Sequence, residues 1–506
     1  MQKRVLVRAS LAVALSGLLA SGVVGCKKKS ATENATSTGA PETVRPEVEE
    51  PSAPKVFAIG DDFNRVEVEP HVTPPSEADA QASLVTGAWS TFRGNDARTG
   101  LRDVPAIENP KIQWRTEIGI IGYSNVIAER DGRLYVSTQG QSHDQSDEWD
   151  GVVALDAESG KVLWRYRTES DANGMTLYDD ALYVVTSDGH VHAIAVEDGS
   201  QRWNRDLGCS MRTAPTVVGD YVHILRNGKV TRLFRENGTS EMELERCSSL
   251  DRGGLSYDGG TMATVSMQDR VRLFEGTERV WTSTPRGDKS DYSGAWTPGL
   301  LLDGLLVTQV STWPYPRGTQ DFRGDDEFDY RAAVVAYWRD NGERAWVTDI
   351  DGEDPERKYR ANNIHNHALP LVVAGKVFAP TLFRSELSVL DLATGARVGG
   401  VKLPDCRARQ FSSPVGTLTA GYYARHDGVL YQFDYETLAV NWSLALGKAG
   451  LSGQSTTHEA VRDADSCSVV PVDGTALFGT PSIGVDGTVY VGSGEGWIYA
   501  IKDAAR

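Results

Sequence analysis

The stretch Ala154-Leu155-Asp156-Ala157-Glu158-Ser159-Gly160-Lys161-Val162-Leu163-Trp164 runs from an apolar strand through a short polar turn into a second strand that carries a tryptophan. Its Gly-x-x-x-Trp spacing, Gly160 to Trp164, returns as Gly199 to Trp203, 39 residues further on. The same step reaches Met242, four residues after Gly238, and then Trp281. Equal steps of this kind define a repeat. Wider steps lead to Trp346 after Gly342, to Gly399 after Gly395 and to Trp442, while Trp114 after Pro110 comes before them all, giving eight repeat ends.

Within one repeat, residues 175–177, 181–186, 191–196 and 201–205 are short runs of strand-forming residues. Asp179-Asp180, Ser187-Asp188-Gly189 and Glu197-Asp198-Gly199 separate them as hairpin turns. Four short strands cannot bury both faces of a sheet alone, so a period near 40 predicts blades stacked around an axis. The C-terminal segment supplies strands at 482–485, 489–492 and 497–501 and then stops one strand short. Residues 111–117 around Trp114 are such a strand with nothing before it. The expected fold is therefore all-β: an eight-bladed β-propeller of four-stranded antiparallel blades, closed by the N-terminal strand pairing into the last blade.

The repeat at 154–164 resembles that of the pyrroloquinoline-quinone-like propeller superfamily. The lead-in Trp89-Ser90-Thr91-Phe92-Arg93-Gly94-Asn95, with Arg98-Thr99-Gly100, is similar to the segment that opens the ring in many such proteins. The resemblance covers about 89–504 and implies the fold. It includes both quinone dehydrogenases and non-enzymatic lipoproteins of the BamB type, which assist outer-membrane protein assembly, and a shared fold does not choose between them.

The first residues decide the expected compartment. Lys3, Arg4 and Arg8 precede an apolar run from Ala9 to Ala20 that ends in small residues, the pattern of a secretory leader over 1–25. Val23-Val24-Gly25-Cys26 is similar to the lipobox of bacterial lipoproteins, which implies lipidation of Cys26. The Ser-, Thr-, Glu- and Pro-rich stretch that follows reads as a tether over 26–85, ahead of a propeller over 86–506. Asp and Glu number 69 against 52 Lys and Arg, a net charge of −17. That surface repels phosphate backbones and excludes nucleic acid as the expected partner. The expected location is the cell envelope, at the outer membrane through the lipid anchor, with the ring as a monomer.

Departures from the period locate the elaborated end. The surplus falls at 141–150 and 313–331, each between second and third strands, and at 351–365 and 448–477, each between one blade and the next. In an up-and-down blade these connections leave from the same end, and long loops on a rigid scaffold are where binding usually resides. The loop from Trp313 through Tyr315, Phe322, Asp325, Asp326 and Phe328 combines aromatics and acids, as interface hot spots do, and is the expected partner-binding segment. Arg212, Arg252, Arg360 and Arg409 lie near first-strand starts and predict a basic funnel, to which His367 also belongs. Cys209 with Cys247 and Cys406 with Cys467 are placed for two disulfides in an oxidising compartment.

Other chemistry is thin. His365-Asn366-His367 and the acids Asp144, Asp147, Glu148 and Asp150 lack the spacing of a built metal site. No catalytic residue, resident metal or cofactor is expected. The leading expectation is a lipid-anchored scaffold that binds an envelope protein, as the BamB type does. The alternative is a quinone-dependent dehydrogenase holding quinone and calcium in the channel, with Trp296 as the aromatic floor. The chain has no adjacent cysteine pair, which the superfamily's quinone alcohol dehydrogenases carry beneath the cofactor.

Overall fold

Strands are the only regular elements among the described residues, and they fall into eight sheets. The computed structural model describes residues 82–122, 124–142, 145–226, 228–240, 253–266, 270–283, 298–311, 332–350, 368–381, 384–404, 412–425, 427–446 and 479–505. Blade 1 is Ile127–Arg130, Arg133–Gln139, Asp150–Asp156 and Val162–Arg167. Blade 2 is Ala172–Tyr178, Ala181–Thr186, His190–Ala195 and Gln201–Asp206. Blade 3 shows Thr216–Val218, Tyr221–Arg226 and Lys229–Phe234, and its Met242 region lies outside the described residues. Blade 4 is Gly253–Asp258, Thr261–Ser266, Arg270–Glu275 and Glu278–Ser283. Blade 5 is Leu300–Leu301, Leu305–Ser311, Ala332–Trp338 and Arg344–Asp349. Blade 6 is Leu371–Val373, Lys376–Pro380, Glu386–Asp391 and Arg397–Lys402. Blade 7 is Val415–Thr417, Ala420–Arg425, Val429–Asp434 and Val440–Ala445.

Blade 8 closes the ring as the sequence predicts. Ser482–Ile483, Val489–Gly492 and Trp497–Asp503 receive Pro110–Glu117 as the outer strand, with Pro110 opposite Asp503 and Glu117 opposite Trp497. Pairing Pro110–Glu117 with Trp497–Asp503 removes the seam at which a ring would otherwise open. One strand goes beyond expectation: Leu101–Arg102 adds in parallel to the inner edge of blade 7, with Leu101 opposite Gly416.

The repeat motif is a contact between neighbouring blades. The Trp164 indole donates to the Val196 carbonyl of the next blade at 3.2 Å. Trp114, Trp203, Trp281 and Trp346 reach Ala157, Arg235, Arg339 and Leu392 in the same way. The ring of each tryptophan lies over the glycine of the following repeat. At Gly160, where φ is +69°, an added Cβ would come within 2.5 Å of the Trp114 ring. Ahead of that glycine, the Asp156 carboxylate accepts from the Ser159 backbone and hydroxyl, and Asp391 and Asp434 bind Thr394 and Thr437 likewise. These Asx turns explain why an acid and a hydroxyl precede the glycine position.

Outer strands carry one extra residue just before the tryptophan position. Trp164 opposes Ala154 while Val162 opposes Leu155, so Leu163 has no partner, and Val280 and Val398 stand at the equivalent bulges. All three are exposed. A bulge bends an edge strand away from pairing with another chain. First strands such as Ala172–Tyr178 are buried except at the last residue, where outer strands such as Val162–Arg167 alternate between half-buried and exposed, which places the first strands at the axis.

Candidate functional site at the loop-bearing end of the ring

First-to-second connections are tight at one end of the sheets, as at Asp131-Gly132, where both residues have positive φ in the manner of a hairpin turn. The lead-in segment crosses the axis at that end. Trp89 exchanges backbone hydrogen bonds with Glu129 of blade 1. The Ser90 carbonyl accepts from Leu177 of blade 2, the Asp96 carbonyl from Tyr257 of blade 4, the Ala97 carbonyl from Leu301 of blade 5, and the Gly100 carbonyl from Gly416 of blade 7. Arg98 donates to the Thr216 hydroxyl of blade 3 at 3.0 Å and to the Leu255 carbonyl of blade 4 at 3.1 Å. Arg93 donates to the Pro370 carbonyl, just ahead of blade 6, at 2.6 Å. The Val485 backbone of blade 8 donates to the Glu129 carboxylate.

This plug carries buried charge. Arg93, Arg98, Arg102 and Glu129 are each almost wholly shielded from solvent. Burial pulls the Arg93 guanidinium down to about 9. Burial also lowers Arg98 and raises Asp96, each opposed by the charge of the other across 4.0 Å. Arg102 faces Glu129 at 3.9 Å. Such charges are costly unless hydrogen-bonded, and the arginines satisfy most of their donors on backbone carbonyls and threonines. Leu84 and Val85 already pack against the core beside this segment.

At the opposite end, where the elongated connections leave, a polar belt joins blades 1 to 3. Asn173 accepts from Ser124 and Gln139 and donates to Ser187 and to the Met211 carbonyl. Beside it lies an acidic pair of turns. Asp147 accepts from the backbone of Gln141, Ser142 and Trp149, so it organises its own loop. Asp150 accepts from the Asp147 backbone at 2.9 Å, while its Oδ1 is buried with no hydrogen-bond partner among the described residues. Burial, aided by the charges of Asp171 and Asp147, pushes the Asp150 carboxyl up to about 7.

The rim of this end also carries paired tryptophans and arginines. Arg165 lies over the Trp149 ring at 4.7 Å in blade 1, and Arg115 over Trp497 at 4.9 Å in blade 8. The two arginines are exposed and both tryptophans half-buried. Each arginine follows a motif tryptophan, so the repeat places the same pair in adjacent blades.

Several sequence-derived candidates fall outside the described residues: Cys26, Cys247, Cys406 and Cys467, the segment with Trp313, Tyr315, Phe322, Asp325, Asp326 and Phe328, Trp296, and Arg252, Arg360, His367 and Arg409 of the funnel. Their connections leave from between the strands expected, since 312–331 joins the second and third strands of blade 5, and 447–478 joins blades 7 and 8. Arg212 is half-buried, immediately ahead of the first strand of blade 3. Cys209 is buried and disulfide-bonded. Sequence reasoning missed the plug and the rim pairs. Only the Trp-Arg dipeptides at 114–115 and 164–165 signalled the latter.

Residues 102–346 match the family model described as outer membrane protein assembly factor BamB. Quinohemoprotein alcohol dehydrogenase ADH IIB of Pseudomonas putida is 28% identical over 244 residues, covering 43% of this chain and 32% of that protein. Outer membrane protein assembly factor BamB of Yersinia pestis is 24% identical over 201 residues, covering 36% of this chain and 48% of that protein. The alignments thus span about a third to a half of those two relatives' lengths. The crystal structure of BamB from Moraxella catarrhalis superposes with a TM-score of 0.51 at 13% identity, covering 77% of this chain and all of that one. In its closed ring of eight blades, its glycine–tryptophan repeat contact and the match over residues 102–346, the chain is similar to the pyrroloquinoline-quinone-like β-propeller repeat proteins.

Proposed function

We propose that the chain is a lipid-anchored envelope scaffold, held at the outer membrane through Cys26, that binds a protein partner through the loop-bearing end of its ring. Its role would be that of an outer-membrane assembly factor, as the BamB relatives are named. The observation that carries this reading is the polarity of the ring. One end is sealed by the lead-in and by tight turns, while the long connections and the Trp149–Arg165 and Trp497–Arg115 pairs stand at the other. Tryptophan and arginine dominate interface hot spots. The segment from Trp313 to Phe328 and the funnel residues Arg212, Arg252, His367 and Arg409 belong to the proposed surface, and Cys247 is the proposed disulfide partner of Cys209.

The second reading, a quinone-dependent dehydrogenase, is favoured by the Pseudomonas putida relative. Two observations count against that cofactor. The chain has no adjacent cysteine pair, and among the described residues no group of three or more His, Cys, Asp or Glu is placed to hold a metal. Crosslinking from position 315 or 326 in intact envelopes, together with Trp149→Ala and Arg165→Ala, tests the scaffold. Capture of one defined outer-membrane protein, weakened by the rim variants, is the expected result, and an empty lane would overturn it. Quinone and calcium added to purified protein should give neither a new chromophore nor dye-linked alcohol oxidation; turnover would establish the dehydrogenase.

A further inference from the structure

The third strand of blade 2 begins His190-Val191-His192. Residues two apart on a strand project from the same face, and the two imidazoles stack with centroids 5.9 Å apart and planes inclined by 26°. Each ring is held by its Nδ1. His190 Nδ1 lies 2.8 Å from Asn204 Oδ1, an atom that only accepts. His192 Nδ1 lies 2.9 Å from the Tyr166 hydroxyl, which spends its own proton on Gln201 Oε1 at 2.7 Å. Both contacts therefore require the Nδ1–H tautomer. Among the described residues, these Nδ1 contacts are the hydrogen bonds of the two rings, which leaves each Nε2 lone pair for another ligand.

A histidine that donates its second N–H to a fixed oxygen is the arrangement that orients imidazoles for a metal. Asn204 and the Tyr166–Gln201 relay provide that support in the metal-free protein. The His192 ring is buried beside His190, and imidazole binds a metal as the neutral base. The Asp188 carboxylate, fixed by the Thr186 and Ser170 hydroxyls, acts electrostatically on both rings. With zinc–nitrogen bonds of about 2.1 Å an ion lies about 3.2 Å from a ring centroid and in the plane of that ring, so one ion spans centroids 5.9 Å apart when the two Nε2 edges turn toward each other.

We infer that His190 and His192 form a two-imidazole site for a zinc-class divalent cation at the loop-bearing end of blade 2. Imidazole selects zinc, nickel and copper over calcium and magnesium. Two protein ligands leave coordination positions open for water or for a donor group from outside the chain.

Zinc and nickel chloride titrated into purified protein, followed by calorimetry and by thermal unfolding, test the site. The expected result is saturable binding at this site that calcium does not compete. His190→Gln, at a partly exposed position, should keep the metal-free melting temperature and weaken binding at least about 10-fold. His192→Gln should do the same, and Tyr166→Phe, which removes only the orienting hydroxyl, should weaken it less. With copper, the electron paramagnetic resonance spectrum should show two nitrogen ligands and should lose one in His190→Gln. Absence of binding up to about 1 mM metal, or wild-type affinity and an unchanged copper spectrum in His190→Gln, would overturn the inference; since that variant alone decides it, a folding failure of His192→Gln leaves it testable.

Discussion

Leu438 occupies, from the neighbouring blade, the place of the tryptophan that Gly399 lacks. At Gly160, Gly199, Gly238, Gly342 and Gly395 a tryptophan ring of the preceding blade covers a glycine at positive φ, as Trp346 covers Gly395. Here the roles are exchanged: position 399 is glycine, and an added Cβ there would meet the Leu438 side chain at 2.5 Å. Leu438 stands four residues before Trp442, where the glycine would be, and takes φ +57° despite its side chain.

The exchange predicts strong coupling. Gly399→Trp alone collides with Leu438, and Leu438→Gly alone opens a void, so each should destabilise by about 2 kcal/mol. The double variant restores the ordinary contact and relieves the left-handed leucine, which itself costs about 1 kcal/mol. It should unfold at or above the wild-type urea midpoint. Additive losses in the double-mutant cycle would show that the two residues are independent.

Arg98 ties the lead-in to blades 3 and 4 through Thr91, Thr216 and Leu255. Arg98→Met keeps much of the volume but leaves three buried acceptors without their donor and Asp96 without its opposite charge, a loss of about 3 kcal/mol. Arg98→Lys should rescue little, because a single ammonium cannot span acceptors matched to a planar fork. Urea midpoints of the two variants check this, and a lysine variant with wild-type stability would refute the fork argument.

The ring was legible in the sequence because its defining contact joins a tryptophan to a glycine of the next repeat, so both partners of every interface sit inside the periodic pattern. The closing strand around Trp114 was legible for the same reason. The plug was not. Arg93 and Arg98 find the Pro370 and Leu255 carbonyls, and a backbone carbonyl far along the chain leaves no mark in residue types. Nor did His190 and His192 stand out, since alternation by two is what any half-buried strand shows, and only the oxygens facing each Nδ1 separate them from ordinary strand histidines. Leu101–Arg102 is too short for its parallel pairing to appear as a pattern.

His223 should make the fold acid-sensitive. Among the described residues its Nδ1 is buried without a hydrogen-bond partner, and burial, with Arg232 nearby, lowers its titration to about 4 from 6.5. Between these values the unfolded chain binds a proton that the folded chain refuses, so stability falls as pH drops from about 6.5 to about 4. His223→Gln should flatten that part of the melting-temperature profile. An unchanged slope would mean that His223 accepts its proton while folded.

Asp150 acts in the opposite direction. Its carboxyl titrates near 7 in the folded state against an ordinary 3.8, so between these values the unfolded chain releases a proton that the folded chain retains. The stability contributed by this group is therefore greatest below about 4, declines as pH rises toward 7, and stays reduced above it. Asp150→Asn keeps an acceptor for the Asp147 backbone and replaces the partnerless Oδ1 with a group that never ionises. The variant should be more stable than wild type at pH 8 and show little advantage at pH 4, and the gain should appear across the interval where wild-type Asp150 remains protonated. Melting temperatures at both pH values decide this: an equal gain at both would assign the benefit to packing, and a loss at pH 8 would show that the ionised carboxylate is bound by a cation or donor at the loop-bearing end.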